Sequence, residues 1–215
     1  MKFFNLITLA SLATAVPHVR RQDTITGTIK NAASAMADDT MTAITNIENA
    51  VEALKATNTT TGAAPIQAQN AVKANVQEIV DALRAATAEV NRVTTEARGS
   101  VGAQAAGFQN ADVVQLTTSL KNVINIIKEI GTTVGAITES LTPELLATID
   151  AEISALKDSI NPLLRPLLLL GVAVRNTANQ LVGGVEKSLD SVITNIISTH
   201  GQLAKLLGLS SLRGI

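Results

Sequence analysis

Apolar side chains recur along this chain at alternating intervals of four and three residues, the spacing that places them on one face of an α-helix. The first stripe of this kind covers residues 25–54, and the second covers 72–93. The third stripe, over 116–141, is the most regular of the set. We therefore predict three long amphipathic helices in this part of the chain.

Two more helices are predicted after the third stripe. The segment Thr142-Pro143-Glu144 suits a helix start, because threonine caps a first turn, proline fits the first helical position and an acidic side chain favours the positive end of the helix dipole. A fourth stripe covers 146–160, and a fifth covers 167–196. Pro162 and Pro166 lie between them, and each removes a backbone donor, which predicts a break or kink there.

The fold class that follows is all-α, an up-and-down bundle of about five long helices, Pro-kinked between the fourth and fifth. Polar, glycine-rich segments at 57–65 and 98–107 separate the first three helices. A heptad coiled coil is the alternative, but the breaks at Gly62, Gly99 and Pro162 would fold such a rod back on itself.

The first residues have the features of a secretory signal peptide, which we assign to 1–15. Lys2 precedes an apolar run over 3–12, and the small residues Ala13-Thr14-Ala15 follow it. An N-terminal anchor helix is the alternative, but the apolar run is shorter than the ~20 residues that a bilayer requires. The chain is therefore expected to be secreted, either to the extracellular space or to a cell wall.

A pro-segment over 16–21 is predicted from the dibasic pair Arg20-Arg21, although two exposed arginines at a flexible start would have the same sequence. The remaining residues, 22–215, then form a single helical-bundle domain of 194 residues. Asn58 lies in the sequon Asn58-Thr59-Thr60 within a predicted loop, which is the expected context for N-glycosylation.

Charge and aromatic content exclude nucleic acid as a partner. Three of the 17 basic residues precede Gln22, which leaves 14 against 18 acidic residues, a net charge of −4. The chain from Gln22 onward has no Trp, Tyr or Cys and one Phe, Phe108. Nucleic-acid binding requires a basic surface and aromatic stacking platforms. The third helix contains charged residues such as Lys121 and Lys128, and the uncharged run over 166–174 is nine residues long, well short of a bilayer span, so we predict no transmembrane segment.

The residues that carry enzyme chemistry are scarce. Without cysteine and with His200 as the one histidine after Gln22, the sequence lacks a cysteine nucleophile and a zinc site rich in these ligands. We expect His200 to lie at the carboxyl end of the last long helix, just before Gly201, where it favours the negative end of the dipole. Asp38-Asp39 are adjacent and point in different directions. We predict no enzyme activity, no cofactor and no metal.

The wide apolar faces of the predicted helices are the sequence feature that points to a function. Ile124 and Ile126 broaden the third stripe, and four leucines follow Pro166. Such faces indicate either a densely packed core or helices that line an apolar cavity able to accept an acyl chain. Gly131 and Gly135 have Gly-x-x-x-Gly spacing, which permits either close helix packing or room for a ligand beside the backbone.

The chain has a predicted signal peptide, no Cys or Trp, and Ala/Thr/Val-rich helices over 24–199. In these features it resembles the fungal hydrophobic surface-binding protein A family, which includes the antigenic cell-wall galactomannoproteins. The resemblance implies a secreted or wall-associated glycoprotein without enzyme activity. It also implies adsorption to hydrophobic surfaces, recruitment of secreted hydrolases in some members, and fatty acids enclosed in a helical bundle in others.

Two functions follow as expectations. The first is binding of a lipid, a fatty acid or a hydrophobic surface by an aliphatic bundle. Its predicted lining residues lie on the third and fourth stripes and in the leucine-rich segment between and after the prolines: Ile124, Ile127, Ile153, Leu156, Leu163 and Leu167. The alternative is a structural or partner-binding protein of the wall or matrix, with a dry core.

Overall fold

The structure is a computed structural model, and it describes residues 24–57, 62–96, 108–177 and 185–209. Over these ranges the chain forms five α-helices and no strand, which confirms the all-α prediction. The helices are α1 (Thr24–Thr57), α2 (Ala63–Glu96), α3 (Asn110–Ser140), α4 (Pro143–Thr177) and α5 (Val185–Leu207).

The starts of α3 and α4 show why these helices begin where they do. The backbone N–H of Gln109 donates to the carboxylate of Asp112 at 2.9 Å, which closes the first turn of α3. At α4, the N–H of Leu145 donates to the hydroxyl of Thr142 at 3.5 Å, and Pro143 is the first helical residue. The predicted helix start at Thr142-Pro143 is therefore confirmed.

The boundary between the fourth and fifth helices lies elsewhere than predicted. Helix α4 continues through both Pro162 and Pro166, and α5 begins at Val185. Each proline removes one intrahelical hydrogen bond, which costs about 3 kcal/mol. The leucines beside the prolines are buried and offset that cost by holding this part of α4 in the core: Leu163, Leu164, Leu167 and Leu168.

The end of the last helix also differs from the prediction. Helix α5 ends at Leu207, and Gly208 terminates it with φ of 69° while its N–H donates to the carbonyl of Ala204 at 3.0 Å. This left-handed conformation is one that glycine adopts without strain. The expectation that the helix ends near Gly201 was therefore wrong, and His200 lies inside α5 and is buried.

The five helices form a closed ring in which each packs on two principal neighbours. Helix α1 packs on α2 and α3, α2 packs also on α4, and α5 packs on α3 and α4. Although α3 and α4 are consecutive, they contact each other sparsely, because α5 lies between them. The order around the ring is thus α1, α2, α4, α5, α3, and the predicted bundle is confirmed.

Contacts between individual residues give the helix directions. The amide of Asn46 in α1 donates to the amide oxygen of Asn75 in α2 at 3.0 Å, on either side of the short connection, as in an antiparallel pair. Across α4 and α5, Nε of Arg175 lies 2.6 Å from Oδ1 of Asp190, which indicates a second antiparallel pair.

The interior of the ring is aliphatic. Its buried apolar residues are Ala, Val, Ile and Leu together with Met36, and they form one continuous cluster contributed by all five helices. Among the described residues, the buried polar side chains are threonine, serine, Asn75 and His200, and none is Asp, Glu, Lys or Arg. The chain has no disulfide, so burial of this apolar surface is the main source of its stability.

Candidate functional site

All six predicted lining residues lie in the buried core. Ile124, Ile127, Ile153, Leu156, Leu163 and Leu167 are between 0 and 4% exposed and belong to the same cluster. Burial in a continuous aliphatic core is a condition that a lipid-lining residue must meet. It is equally the condition of a residue in a dry core, so their contact with a ligand stays a prediction.

The positions of these residues on α3 and α4 relate them to α5. Ile127 and Ile124 precede Gly131 by four and seven residues, so all three share one face of α3. Leu167 precedes Gly171 by four residues on α4. Gly131 and Gly171 are the places where α5 comes close to α3 and α4, so these predicted residues lie on the faces that border α5.

The glycines of α3 and α4 are contact points for α5. A Cβ atom at position 131 would overlap Cδ2 of Leu203, and one at position 135 would lie 3.4 Å from Cδ2 of Leu206. On α4, a Cβ at position 171 would lie 3.3 Å from Cγ1 of Ile193. Of the two alternatives for the Gly-x-x-x-Gly segment, the structure has close helix packing.

These contacts also show that α3 and α5 run parallel, because the partner residue number rises along both helices. The α5 residues were not among the predicted site residues. Leu203 continues the spacing of the buried positions Val192, Ile196 and Thr199. The sequence therefore shows the apolar spacing that includes Leu203, but a helix that ends near Gly201 does not extend to it.

Two threonine hydroxyls in the core have no hydrogen-bond partner. They belong to Thr117 of α3 and Thr199 of α5. Thr199 is 0% exposed and precedes Leu203 by four residues, so it lies on the buried side of α5. An unpaired buried hydroxyl costs about 1–3 kcal/mol, which makes it a weak point in an otherwise aliphatic interior.

A groove of about 470 Å³ lies outside this core, where the end of α5 meets the middle of α4. Its walls carry a mixture of charged, polar and apolar residues: Ser154, Lys157, Asp158, Asn161, Pro162, Gly208 and Leu209. None of the six predicted residues borders it. The groove is therefore a separate surface feature and not the predicted acyl-chain site.

None of the described Asp, Glu, Lys and Arg residues is buried as a whole, although Oε2 of Glu152 is shielded from solvent and has no hydrogen-bond partner. Over the described ranges, no group of three or more His, Asp or Glu side chains is arranged to hold a metal ion. The carboxyl group of Glu144 is fully exposed at the start of α4, where its own backbone N–H and the hydroxyl of Thr142 hold its pKa below the usual value. This shift is explained by helix capping and does not indicate acid–base chemistry.

Arg20, Arg21 and Asn58, the predicted processing and glycosylation positions, lie outside the described residues. So does the predicted signal peptide. Within the described helices, no segment is long and apolar enough to cross a membrane.

No protein-family model, curated protein or solved structure matches this chain. The resemblance to the hydrophobic surface-binding protein A family therefore stays a prediction.

Proposed function

We propose that this chain is a secreted, cell-wall-associated protein without enzyme activity that binds lipids or fatty acids in its aliphatic bundle, or adsorbs through that bundle to hydrophobic surfaces. The observation that supports the proposal most directly is the five-membered ring of helices, whose buried residues in the described ranges include no Phe, Tyr or Trp and no Asp, Glu, Lys or Arg. Secreted hydrolases are the proposed protein partners, on the strength of the family resemblance.

The geometry of a five-membered ring favours a guest along its axis. With neighbouring helices about 9.5 Å apart, the centre of a five-membered ring lies about 8 Å from each helix axis, against about 7 Å in a four-membered ring. Side chains of a helix reach about 5–6 Å from its axis. In such an ideal ring, the additional space at the centre must be filled either by large side chains or by a guest about as wide as an extended acyl chain.

The chemistry of the interior suits the same guest. Methyl and methylene groups from Ala, Val, Ile and Leu offer dispersion contacts and no hydrogen-bond partners to a hydrocarbon. Transfer of each methylene group from water contributes about 0.8 kcal/mol. A long acyl chain therefore gains more than about 10 kcal/mol before the association cost of ~4–15 kcal/mol is subtracted.

The first test is native mass spectrometry of the protein secreted under its own signal. We expect a mass excess equal to one fatty acid, which organic extraction removes and palmitic acid restores. A protein that is secreted without lipid and stays so when palmitic acid is offered would have a dry core, and the structural or partner-binding alternative would replace the proposal.

A chain-length series shows whether the acyl chain itself is bound. Palmitic, myristic, lauric and decanoic acids share a head group and differ in steps of two methylenes. Each step is expected to weaken binding roughly tenfold, because two methylenes contribute about 1.6 kcal/mol. Equal affinity along the series would mean that the head group is bound, for example in the groove beside Lys157.

Secretion and processing have a separate test. Amino-terminal sequencing of the protein from culture medium is expected to begin at Gln22, and Arg21→Ala is expected to move that start towards residue 16. Release by a glycosidase of a glycan that Asn58→Gln abolishes would establish glycosylation at this position.

A further inference from the structure

Helix α5 can leave the ring without breaking the contacts among α1, α2, α3 and α4. Its substantial contacts within the described structure are with α3 and α4. These two helices are joined by the short connection Leu141-Thr142 and already touch each other. If α5 departs, α1, α2, α3 and α4 stay connected through their remaining contacts, and a gap is left between α3 and α4 where α5 lay.

Helix α5 packs less extensively on α4 than on α3. Arg175 and Asp190 form an ion pair across this interface, but both side chains are almost half exposed, and water screens such pairs strongly. The nearby apolar contact sets Ile193 against Gly171, which contributes no side chain of its own. At 23 residues, α5 is also the shortest of the five helices.

The buried hydroxyl of Thr199 favours the detached state. It has no hydrogen-bond partner while α5 is packed, and water would hydrate it when α5 leaves. Thr199 lies on the same side of α5 as Leu203, within the surface that α3 and α4 cover. The apolar interface of α5 thus contains one group whose solvation opposes packing.

We propose that α5 is a detachable helix that leaves α3 and α4 as a unit, and that the opening between these two helices is the route by which an acyl chain reaches the core. The route rests on the proposed function, whereas the detachment of α5 does not. The admitted chain would meet the faces of α3 and α4 that carry Ile127 and Leu167, next to the glycines that α5 covers.

A reversible disulfide between α4 and α5 tests both parts. A Cβ at position 171 would lie 3.3 Å from Cγ1 of Ile193 and more than 4 Å from its Cβ. The double variant Gly171→Cys/Ile193→Cys therefore places two Cβ atoms at the upper end of the separation of about 3.5–4.5 Å that a disulfide requires. The chain has no other cysteine. The same protein can therefore be compared oxidised and reduced, with each single-cysteine variant as a control.

The readout is the rate at which delipidated protein takes up cis-parinaric acid, a fatty acid that becomes fluorescent in apolar surroundings. We expect uptake by the oxidised double variant to be at least tenfold slower than by its reduced form, with both single variants unaffected by the oxidant. Equal rates in the oxidised and reduced forms would overturn the route.

Hydrogen exchange in the absence of lipid separates the motion from the function. Amides over 187–207 are expected to exchange together and faster than those of α1 and α2, and to become protected in the oxidised variant. If the wild-type protein takes up no fatty acid while α5 exchanges in this way, the proposed function fails and the detachment stands. Exchange of α5 at the rate of α1 and α2 would overturn the detachment.

Thr199→Val provides a second variant that needs no disulfide. Valine has the shape of threonine without its hydroxyl, so α5 should pack more firmly and its amides should exchange several-fold more slowly, with α1 and α2 unchanged. Faster or unchanged exchange of α5 would contradict the role given to this hydroxyl.

Discussion

Leu203 of α5 occupies the space beside Gly131 of α3 in which any other residue would carry its Cβ atom. Gly131→Ala should therefore lower the free energy of unfolding. Overpacking costs about 1–3 kcal/mol, and the better helix propensity of alanine offsets about 1 kcal/mol of that. Urea unfolding followed by far-UV circular dichroism measures the difference.

A double-mutant cycle of Gly131→Ala with Leu203→Ala provides the control. Once Leu203→Ala has removed the obstructing side chain, Gly131→Ala should become stabilising by up to about 1 kcal/mol. Gly27→Ala and Gly201→Ala, at helical positions with no atom within 4 Å of an added Cβ, should stabilise in any background. A Gly131→Ala effect that does not change with Leu203 would show that these helices do not meet in this way.

Thr199→Val should raise the free energy of unfolding by about 1–3 kcal/mol, because the buried hydroxyl of Thr199 has no partner and valine removes its desolvation cost. Thr194→Val is the matched control, since Thr194 lies exposed on the same helix. The control should change stability by less than about 0.5 kcal/mol. A destabilised Thr199→Val protein would mean that the hydroxyl is hydrogen-bonded in solution.

The side-chain hydrogen bond between Asn46 and Asn75 should contribute about 0.5–1.5 kcal/mol to the pairing of α1 with α2. Asn46→Ala, Asn75→Ala and the double variant form a double-mutant cycle whose coupling energy reports this bond. Asn75 also donates to the carbonyl of Ala71 at 2.7 Å, so its single substitution should cost more than that of Asn46. If the two single substitutions change the free energy of unfolding additively, the side-chain amides of Asn46 and Asn75 are not in contact.

Leu156→Ala should destabilise the protein by about 2–5 kcal/mol, because Leu156 is fully buried among aliphatic neighbours. Leu206→Ala, which truncates a half-exposed leucine, should cost less. If an acyl chain lies along the ring axis, thermal unfolding of Leu156→Ala with palmitic acid should show a different ligand-induced stabilisation from wild type. An identical shift in both proteins would place the bound chain away from Leu156.

The helices themselves could be predicted from the sequence where the apolar stripe is regular. The third stripe predicted α3 closely because Leu116, Leu120 and Ile127 are all buried at their expected spacing. The start of α4 followed from Thr142 and Pro143, since caps act within a single turn. The predicted boundary at Pro162 and Pro166 was wrong, because the surrounding leucines stabilise α4 through tertiary burial that a local rule does not include. The predicted kink at these prolines stays a prediction.

The order of helices around the ring could not be predicted. Short connections bring consecutive helices together, yet α3 and α4 contact each other only sparsely, because α5 lies between them. The position of α5 depends on how Leu203 and Ile193 fit against glycines more than twenty residues away. The candidate lining residues were predicted as apolar and buried, which a stripe can indicate. Whether an apolar interior holds a guest depends on the arrangement of the helices around it and on how fully their side chains fill it, and no single stripe contains that information.

The glycines that contact α5 allow close packing of the helices but destabilise the helices in which they lie. Gly131, Gly135 and Gly171 each lower the intrinsic stability of their own helix by about 1 kcal/mol relative to alanine. Their benefit exists only while α5 is in contact, so α3 and α4 are locally weakened at the same points where α5 supports them. Loss of α5 would therefore loosen the inner turns of both helices as well as uncover them. If the bundle admits a bulky guest as proposed, the helices that receive it are the ones that these glycines weaken.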